Sequence, residues 1–251
     1  MKEIIAVINQ KGGVGKSTTA QAIGQCLFLK GYKVLFIDLD AQGNLTYSLN
    51  ANSNNKTVLE ALTGQATAKE VIIKTETGDL MPSNIQLSGA DLMLTEMGKE
   101  YRLKEAIEPL KKQYDYIIID TPPALGILTV NALTACTGII IPAQADIYSL
   151  QGIGQLNNTI EAVRKYCNKD LTLKGIVLTR FNKRAVLSRD VAELLEQTAN
   201  TLKTKLYKTH IREAVAVKEA QIQKTCLFTY APKSNASIDY MNLTDEVIKN
   251  D

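Results

Sequence analysis

The sequence NQKGGVGKSTT, residues 9–19, is the most informative segment of this chain. The apolar run IIAVI at 4–8 precedes it, and the helical sequence AQAIGQCL at 20–27 follows it. A glycine-rich turn between a strand and a helix is the setting that a phosphate-binding loop requires, because inward-facing backbone N–H groups and the positive end of the helix dipole both attract an anion. The sequence therefore predicts a nucleotide phosphate site at this turn.

The residues of this loop have separate parts in the prediction. Lys16 supplies a full positive charge, and Ser17 places a hydroxyl where a phosphate-bound Mg²⁺ ion would lie. The common pattern has a glycine five residues before Gly15, where this chain has Gln10 and, next to it, a second lysine, Lys11. The residues predicted to surround the phosphates are Lys11, Gly12, Gly13, Val14, Gly15, Lys16, Ser17 and Thr18.

Two further apolar runs end in carboxylates. KVLFIDLD at 33–40 places Asp38 and Asp40 on one face of a strand, because residues i and i+2 point to the same side. DYIIIDTPP at 115–123 carries Asp120 at the end of its apolar part, as the acidic strand of many nucleotide hydrolases does. Since parallel strands bind ligands at their carboxyl ends, we expect these acids to lie beside the phosphate loop.

Strand-like and helix-like segments alternate along most of the chain. The other predicted strands are at 71–73, 79–82, 137–142, 173–179 and 205–211, and the longer predicted helices are at 84–97, 102–113, 148–166, 188–202 and 234–249. This alternation predicts an α/β fold with a doubly wound, mostly parallel sheet flanked by helices, as in P-loop NTPases.

Composition limits the class of protein. The chain has 251 residues, of which 45% are hydrophobic and 22% charged, which is typical of a folded globular protein, and we expect residues 1–251 to form one domain. No apolar run approaches the ~20 residues of a membrane span and no signal peptide is recognisable, which predicts a cytoplasmic protein. Four scattered cysteines and one histidine disfavour disulfides, zinc hydrolysis and Ser-His catalysis.

The basic charge is concentrated in one region. The formal net charge is +3, whereas residues 174–224 hold eleven Lys or Arg and five Asp or Glu, a net charge of +6. The rest of the chain therefore has a net charge of −3. A regional excess of cations is typical of a surface that meets phosphate groups, and also of a solvated face on an ordinary enzyme.

Three motifs together resemble one family. KGGVGKST at 11–18, FIDLDAQGN at 36–44 and IIIDTPP at 117–123 are similar to the deviant-Walker P-loop ATPases of the ParA/MinD superfamily, and more narrowly to ParA/Soj-type partition ATPases. The segments PAQADIYSLQGIGQLNNTIEAV, VLTRFNKR and TYAPKSNASIDYMNLTDEVI also resemble that family, so the resemblance covers nearly the whole chain. We expect no helix-turn-helix extension of the kind that longer relatives carry before the first strand.

The resemblance implies ATP and Mg²⁺ as ligands and a distinct role for each charged residue of the site. Lys16 would contact the β- and γ-phosphates of its own nucleotide, whereas Lys11 would reach across a homodimer interface to the nucleotide of the partner subunit. Asp40 would position the attacking water. The implied metal residues are Ser17, with Asp38 and Asp120 in the outer shell, and the implied catalytic residues are Lys11, Lys16 and Asp40.

The resemblance also implies a slow ATPase that works as a dimerisation switch. The ATP dimer would bind double-stranded DNA without sequence preference, associated with the nucleoid, and hydrolysis stimulated by a ParB-like partner would release it. Such a cycle segregates or positions plasmid or chromosomal DNA. Many relatives carry an arginine where this chain has Ala216, so that role does not transfer, and Lys218 and Lys224 are alternatives. The predicted DNA contacts are Lys183, Arg184, Arg189 and Arg212.

Other functions fit the sequence less well. A MinD-like ATPase that cycles on a membrane would need a basic amphipathic C-terminal helix, but residues 239–251 contain four acids and one lysine. An iron–sulfur reductase would need a cysteine close after Asp120, and Cys136 is the nearest. A small-molecule synthetase should not need Lys11. A ParA-like ATPase that positions a protein cargo remains open as an alternative.

Overall fold

The computed structural model describes residues 1–51, 56–182 and 186–249, with the side chains of 186–189 left out. Within these residues the strands are β1 Glu3–Val7, β2 Val34–Asp38, β3 Ile73–Thr75, β4 Gly78–Met81, β5 Tyr116–Asp120, β6 Gly138–Ala143 and β7 Thr172–Leu178. They form one sheet in the order β3-β4-β2-β5-β1-β6-β7. Only the β3–β4 pair is antiparallel among the strand pairs of this described sheet, which confirms the predicted doubly wound α/β fold.

Helices cover both faces of the sheet. Their bounds are α1 Lys16–Leu29, α2 Asn44–Ser48, α3 Val58–Leu62, α4 Ala68–Val71, α5 Ala90–Met93, α6 Arg102–Ile107, α7 Ile127–Ala135, α8 Ile147–Tyr166, α9 Val186–Thr201, α10 Val215–Ile222, α11 Leu227–Tyr230 and α12 Asn235–Ile248. The core on one face includes residues of α1 and α12, and the core on the other face includes residues of α6 to α9. No helix in the described ranges is long and apolar enough to cross a membrane.

The central strand shows why these runs are apolar throughout. Along β1, Ile4 and Ala6 belong to one core, whereas Ile5 and Val7 belong to the other, and all four are at most 1% exposed. Side chains of a strand alternate between the two faces, and helices cover both faces of this sheet. A strand in this position therefore needs a continuous hydrophobic run rather than an alternating one.

The strand register brings the acidic strand ends together beside the loop. β5 lies between β1 and β2, with Asp120 opposite Val7 on one side and opposite Asp38 on the other. The loop of residues 9–15 begins two residues after the end of β1. The carboxyl ends of three neighbouring strands therefore form one edge, as the sequence predicts.

The predicted strand at 205–211 is wrong, and its own hydrogen bonds explain why. Only isolated bridges join Leu206 to Ile176 and Ile211 to Thr179. Between these bridges the backbone N–H groups of Lys208 and Thr209 donate to the carboxylate of Glu246 at 3.0 and 2.9 Å. The segment leaves the sheet because a side chain of α12 takes the donors that a ladder would use.

Two predicted helices are shorter than their periodicity suggests. The segment 84–97 forms a 3-10 helix at Ile85–Gly89 followed by the single turn of α5, and glycine at 89 is a poor helix residue. The segment 102–113 leaves the α-helix at Ile107, because Pro109 has no N–H for the next helical bond. The predicted C-terminal helix is confirmed, with the Ser234 hydroxyl accepting from Ser237 N–H at its N-cap.

Candidate functional site

The loop after β1 has the backbone of an anion site. Gly13 and Gly15 have φ of +73° and +88°, values that glycine adopts without the strain other residues meet. Gly15 is the N-cap of α1, and within the described ranges no side chain caps the first N–H groups of that helix. These N–H groups therefore remain available to a phosphate at the positive end of the helix.

Neighbouring strands hold the loop in place. The Asn9 side chain donates from Nδ2 to the Pro142 carbonyl at 2.7 Å and accepts from Lys11 N–H at 2.9 Å. On the other side, the Thr179 hydroxyl donates to the Val14 carbonyl at 2.8 Å. Sequence reasoning did not single out Thr179, because it lies 165 residues from its partner and shows no local signal.

Lys16 lies inside the loop. The residue is 7% exposed, and its ammonium donates to the Lys11 carbonyl at 3.1 Å. Burial lowers the pKa of Lys16, while Asp120 and Asp40 act in the opposite direction. A partly desolvated ammonium that is held against backbone is ready to bind an anion placed in the loop.

Lys11 points elsewhere. Its ammonium forms an ion pair with Asp146, whose side chain also accepts from Ser149 N–H at 3.0 Å and caps α8. Burial acts to raise the pKa of Asp146, but the hydrogen bonds from Lys11 and Ser149 outweigh it and lower that pKa. The two lysines of the loop therefore direct their ammonium groups to different places: Lys16 to the Lys11 carbonyl, and Lys11 to Asp146.

Asp38 and Asp40 belong to one turn. Asp38 is fully buried, and its carboxylate accepts from Asp40 N–H at 3.1 Å and from the N–H and hydroxyl of Thr46 at 2.8 and 2.7 Å. Burial nevertheless raises its pKa to about 6, against the effect of those bonds. Asp40 is 8% exposed and accepts from Gln42 N–H at 3.0 Å. Asp38 thus holds the turn that carries Asp40.

Asp120 differs from Asp38 in its hydrogen bonds. It is fully buried, and neither oxygen has a hydrogen-bond donor at good geometry in the described part of the chain. Burial first, and then Asp38, raises its pKa well above the usual range, while the nearby Ser17 hydroxyl lowers it in part. The Lys16 ammonium also lowers this pKa, but its effect is smaller than that of burial, so the carboxylate can still gain from a further cation or a proton.

Two cavities meet at the start of α1. An open cleft of about 570 Å³ contains the loop glycines, Lys16, Ser17, Thr18 and Asp40. A smaller pocket of about 80 Å³ adjoins it and is partly apolar, with Val14, Ile211 and Val217 in its walls. Sequence reasoning missed the walls of this second pocket, which come from three distant segments. The residues shared by both cavities are Gly15, Thr18, Arg180, Lys218 and Gln221.

The predicted DNA contacts are not assembled into a described surface. Lys183 and Arg184 lie outside the described residues, and Arg189 lies in α9 with its side chain not described. Arg212 is held by Asp239, to which Nε and an Nη donate at 2.9 and 2.7 Å. Of the alternatives, Lys218 lines the cleft and the Lys224 ammonium lies 4.3 Å from the centre of the Tyr47 ring.

A glycine-rich phosphate loop with a buried lysine, beside acidic ends of adjacent parallel strands, defines a P-loop nucleotide hydrolase. The family profile described as "AAA domain" matches residues 2–173. The chain is 40% identical to the sporulation initiation inhibitor protein Soj of Bacillus subtilis, over 100% of both chains. It is 36% identical to the chromosome partitioning protein ParA of Myxococcus xanthus, over 99% of this chain and 88% of that one.

A solved structure extends the comparison. The cobyrinic acid a,c-diamide synthase of Mycobacterium smegmatis, with bound ADP and magnesium, is 35% identical and superposes with a TM-score of 0.87 over 100% of this chain and 95% of that one. Together with the full-length similarity to Soj and ParA, the motifs and the fold place this chain in the ParA/Soj family of P-loop ATPases.

Proposed function

We propose that this chain is a partition ATPase whose ATP-bound homodimer binds double-stranded DNA without sequence preference and whose ATP hydrolysis ends that state. The single domain of residues 1–251 would be nucleoid-associated while ATP is bound. Hydrolysis would be slow and stimulated by a ParB-like partner. The observation that carries the proposal is the position of Lys11, which lies at the lip of the loop with its ammonium on Asp146, away from the cleft that holds Lys16.

The residues of the cleft fit ATP with Mg²⁺. The loop and the free N–H groups of α1 suit phosphates, and the related M. smegmatis structure contains ADP and magnesium. The described residues hold no cluster of three or more His, Cys, Asp or Glu that could bind a metal alone. In the proposed site, phosphate oxygens would supply the remaining Mg²⁺ ligands. Mg²⁺ would neutralise phosphate charge, held by Ser17, with Asp38 and Asp120 as outer-shell carboxylates. Of these two, Asp120 is the one whose oxygens have no hydrogen-bond donor at good geometry in the described residues.

The two buried acids give opposite predictions. Asp120→Asn should raise the Tm of the nucleotide-free protein by several degrees. The substitution removes an unpaired buried carboxylate, whose burial lowers the free energy of unfolding by about 1–2 kcal/mol or more. Each kcal/mol corresponds to about 2–4 °C in a chain of this size. Asp38→Asn should lower the Tm, since an amide group cannot accept all three hydrogen bonds that Asp38 accepts.

Thermal melting of both variants checks this pair, and melting with ADP and Mg²⁺ adds a functional readout. Asp120→Asn should lose most of the extra Tm that Mg²⁺ adds to ADP. A lower Tm for nucleotide-free Asp120→Asn would show that Asp120 has a structural partner, and its place in the metal site would then be in doubt.

Lys11 is proposed to act on the nucleotide of the partner subunit. A cation inserted into the partner's site would neutralise charge that develops on the phosphates during hydrolysis. For this the ammonium must leave Asp146, to which it is bound in the structure of the single chain. Both side chains are about 30% exposed, so we expect this ion pair to be weak enough to exchange.

Asp146→Asn should therefore favour the ATP dimer. The amide oxygen can still accept from Ser149 N–H and cap α8, but it no longer pairs with the charge of Lys11. We expect the dissociation constant of the ATP dimer to fall by about 3- to 10-fold, as expected when a partly exposed ion pair is removed at two sites. Analytical ultracentrifugation with ATP measures this constant, and Lys11→Ala should fail to dimerise. Weaker dimerisation of Asp146→Asn would assign Asp146 to the interface itself.

DNA binding is tested by a salt titration with ATP, with ADP and without nucleotide. Only the ATP state should bind DNA well, with an affinity that does not depend on sequence and falls steeply with salt. Replacing Lys183 and Arg184 together by alanine should weaken binding and lower the slope of log K against log salt by about 0.9 for each DNA phosphate that is no longer neutralised. Lys112→Ala is the matched control. This exposed lysine lies near the amino ends of β2 and β4, on the side of the sheet opposite the nucleotide cleft. Equal binding in all three nucleotide states would overturn the proposed switch.

A second candidate function follows from the similarity to the M. smegmatis cobyrinic acid a,c-diamide synthase, a small-molecule enzyme. We expect an enzyme of that kind to complete its nucleotide site within one chain, without a lysine directed at a partner subunit. Mixing Lys11→Ala with Lys16→Ala subunits separates the two functions. Partial recovery of ATPase in the mixture supports shared sites, and full activity of Lys11→Ala alone supports the synthase.

A further inference from the structure

Two cations stand where the two cavities meet. Arg180, two residues after the end of β7, and Lys218, on α10, each line both the open cleft and the adjoining partly apolar pocket. Neither belongs to the phosphate loop, and both are exposed. A ligand that places phosphates in the cleft and an apolar ring in the pocket has to pass beside both side chains.

Each cation is carried by a segment that is tied to the loop. Arg180 follows Thr179, whose hydroxyl donates to the Val14 carbonyl at 2.8 Å. Lys218 lies one turn before Gln221, whose Nε2 donates to the Thr18 hydroxyl at 3.1 Å. The backbone positions of the two cations relative to the loop are therefore fixed by direct hydrogen bonds, and only the long side chains are left to adjust.

Both cations lack an acidic partner. In the residues that the structure describes, no carboxylate forms an ion pair with Arg180 or Lys218, and no hydrogen bond holds either side chain. Arg212, in the wall of the same pocket, shows the contrast, because Asp239 binds its guanidinium in a bidentate pair. Glu213 also lines this pocket, but in the described residues no ion pair joins its carboxylate to Arg180 or Lys218, so these two cations remain available to an anion.

Arg180 also adopts an uncommon backbone conformation. Its φ is +50°, in the left-handed region that costs free energy for a residue with a Cβ atom. Glycine would adopt this conformation without strain. A strained arginine at the entrance of a ligand cleft is an observation that points to a role for its side chain.

We propose that Arg180 and Lys218 form a cationic pair that binds the α-phosphate side of the nucleotide, between the phosphate loop and the partly apolar pocket, which would take the base. The proposal rests on the nucleotide site proposed above and assigns it two further binding residues. Since AMP, ADP and ATP share the α-phosphate, the pair should contribute equally to all three. Lys218 is then a nucleotide contact and not part of a DNA surface.

Titration calorimetry with AMP, ADP and ATP at constant salt tests the pair. Arg180→Ala and Lys218→Ala should each bind all three nucleotides about tenfold more weakly, the usual effect of removing one charge-assisted hydrogen bond. Lys218→Arg should retain most of the affinity, and Lys112→Ala should match the wild type. Arg180→Gly should lose affinity like Arg180→Ala while its Tm stays at or above that of the wild type, which a purely structural role would not produce.

The outcomes separate this proposal from the proposed function. ADP affinities within twofold of the wild type in both alanine variants, or a loss confined to ATP, would overturn the pair and leave the nucleotide site intact. Lys218→Ala with normal nucleotide affinity but weaker DNA binding would return Lys218 to the DNA surface and overturn its assignment here. Wild-type protein that binds no adenine nucleotide would overturn the proposed function and this inference together.

Discussion

Replacement of Lys16 by alanine should lower the affinity for ADP and ATP by about 100-fold or more while the protein stays folded. The Lys16 ammonium is buried in the loop, where it donates to the Lys11 carbonyl. The negative charges of Asp120 and Asp40 act to raise its pKa. Phosphate oxygens in the loop would be its natural charge-assisted acceptors. Breaking a buried charge pair from one side costs about 3–5 kcal/mol, which corresponds to a factor of 100 or more in Kd.

Stability should respond much less than binding. The Lys16 ammonium is almost fully buried, and burying a charge without an anion costs free energy, in line with the lowered pKa of this group. Its removal should therefore leave the Tm of the nucleotide-free protein within about 3 °C of the wild type. Calorimetric titration with ADP and Mg²⁺ measures the loss of affinity. Lys11→Ala is the matched control, because its ammonium lies on Asp146 and its Kd for ADP should stay within about threefold. A Lys16→Ala protein that binds ADP within tenfold of the wild type would exclude this lysine from the phosphate site.

The loop and the acidic strand ends can be predicted from the sequence because each is encoded by one contiguous stretch of residues. A phosphate loop is a contiguous stretch, and a buried parallel strand is a contiguous apolar run whose end carries the acid. The register then places Asp38 opposite Asp120 without further information from side chains. These features, and the sheet they imply, therefore follow from the order of residues alone.

The hydrogen-bond partners of the two buried carboxylates, and hence their separate roles, could not be predicted in the same way. Asp38 and Asp120 look alike in sequence, yet one accepts three hydrogen bonds and the other has no donor at good geometry within the described chain. The difference arises from Thr46, which follows Asp38 by eight residues and folds back onto it through the turn. Tertiary contacts of this kind leave no periodic signal, so residue type alone assigns both acids to one role.

The net charge of a region also does not show which of its cations are already bound by acids. The basic region 174–224 includes Arg212, which is bound to Asp239 in α12, outside that region. Glu246, in the same helix, similarly takes the N–H groups that would have made 205–211 a strand. Partners that lie 27 to 38 residues away decide which cations are free and which segments join the sheet. Net charge shows that cations are present, and only the structure shows which acids bind them.

Replacement of Asp40 by alanine should slow ATP hydrolysis by about 100- to 10,000-fold, the range that a positioned general base or water-orienting group contributes. ATP binding should persist, because Lys16 and the loop are unchanged. Asp40 lines the cleft, and within the described residues its carboxylate accepts one hydrogen bond, from Gln42 N–H. Its backbone makes the contacts that hold the turn, with N–H donated to Asp38 and the carbonyl accepting from Gly43 N–H at 2.9 Å.

Because alanine keeps those backbone contacts, the variant should retain the turn and lose only the reactive carboxylate. If hydrolysis is what ends the dimer, Asp40→Ala with ATP should accumulate as a stable dimer in size-exclusion chromatography and remain on DNA after dilution. Asp40→Asn retains an acceptor for Gln42 N–H but cannot take a proton, so it should hydrolyse as slowly as the alanine variant. If Asp40→Asn were fast and Asp40→Ala slow, Asp40 would only shape the turn. If Asp40→Ala stayed monomeric with ATP, the link between hydrolysis and dimer release would be broken, because a site that neither turns over nor pairs its subunits is not a switch.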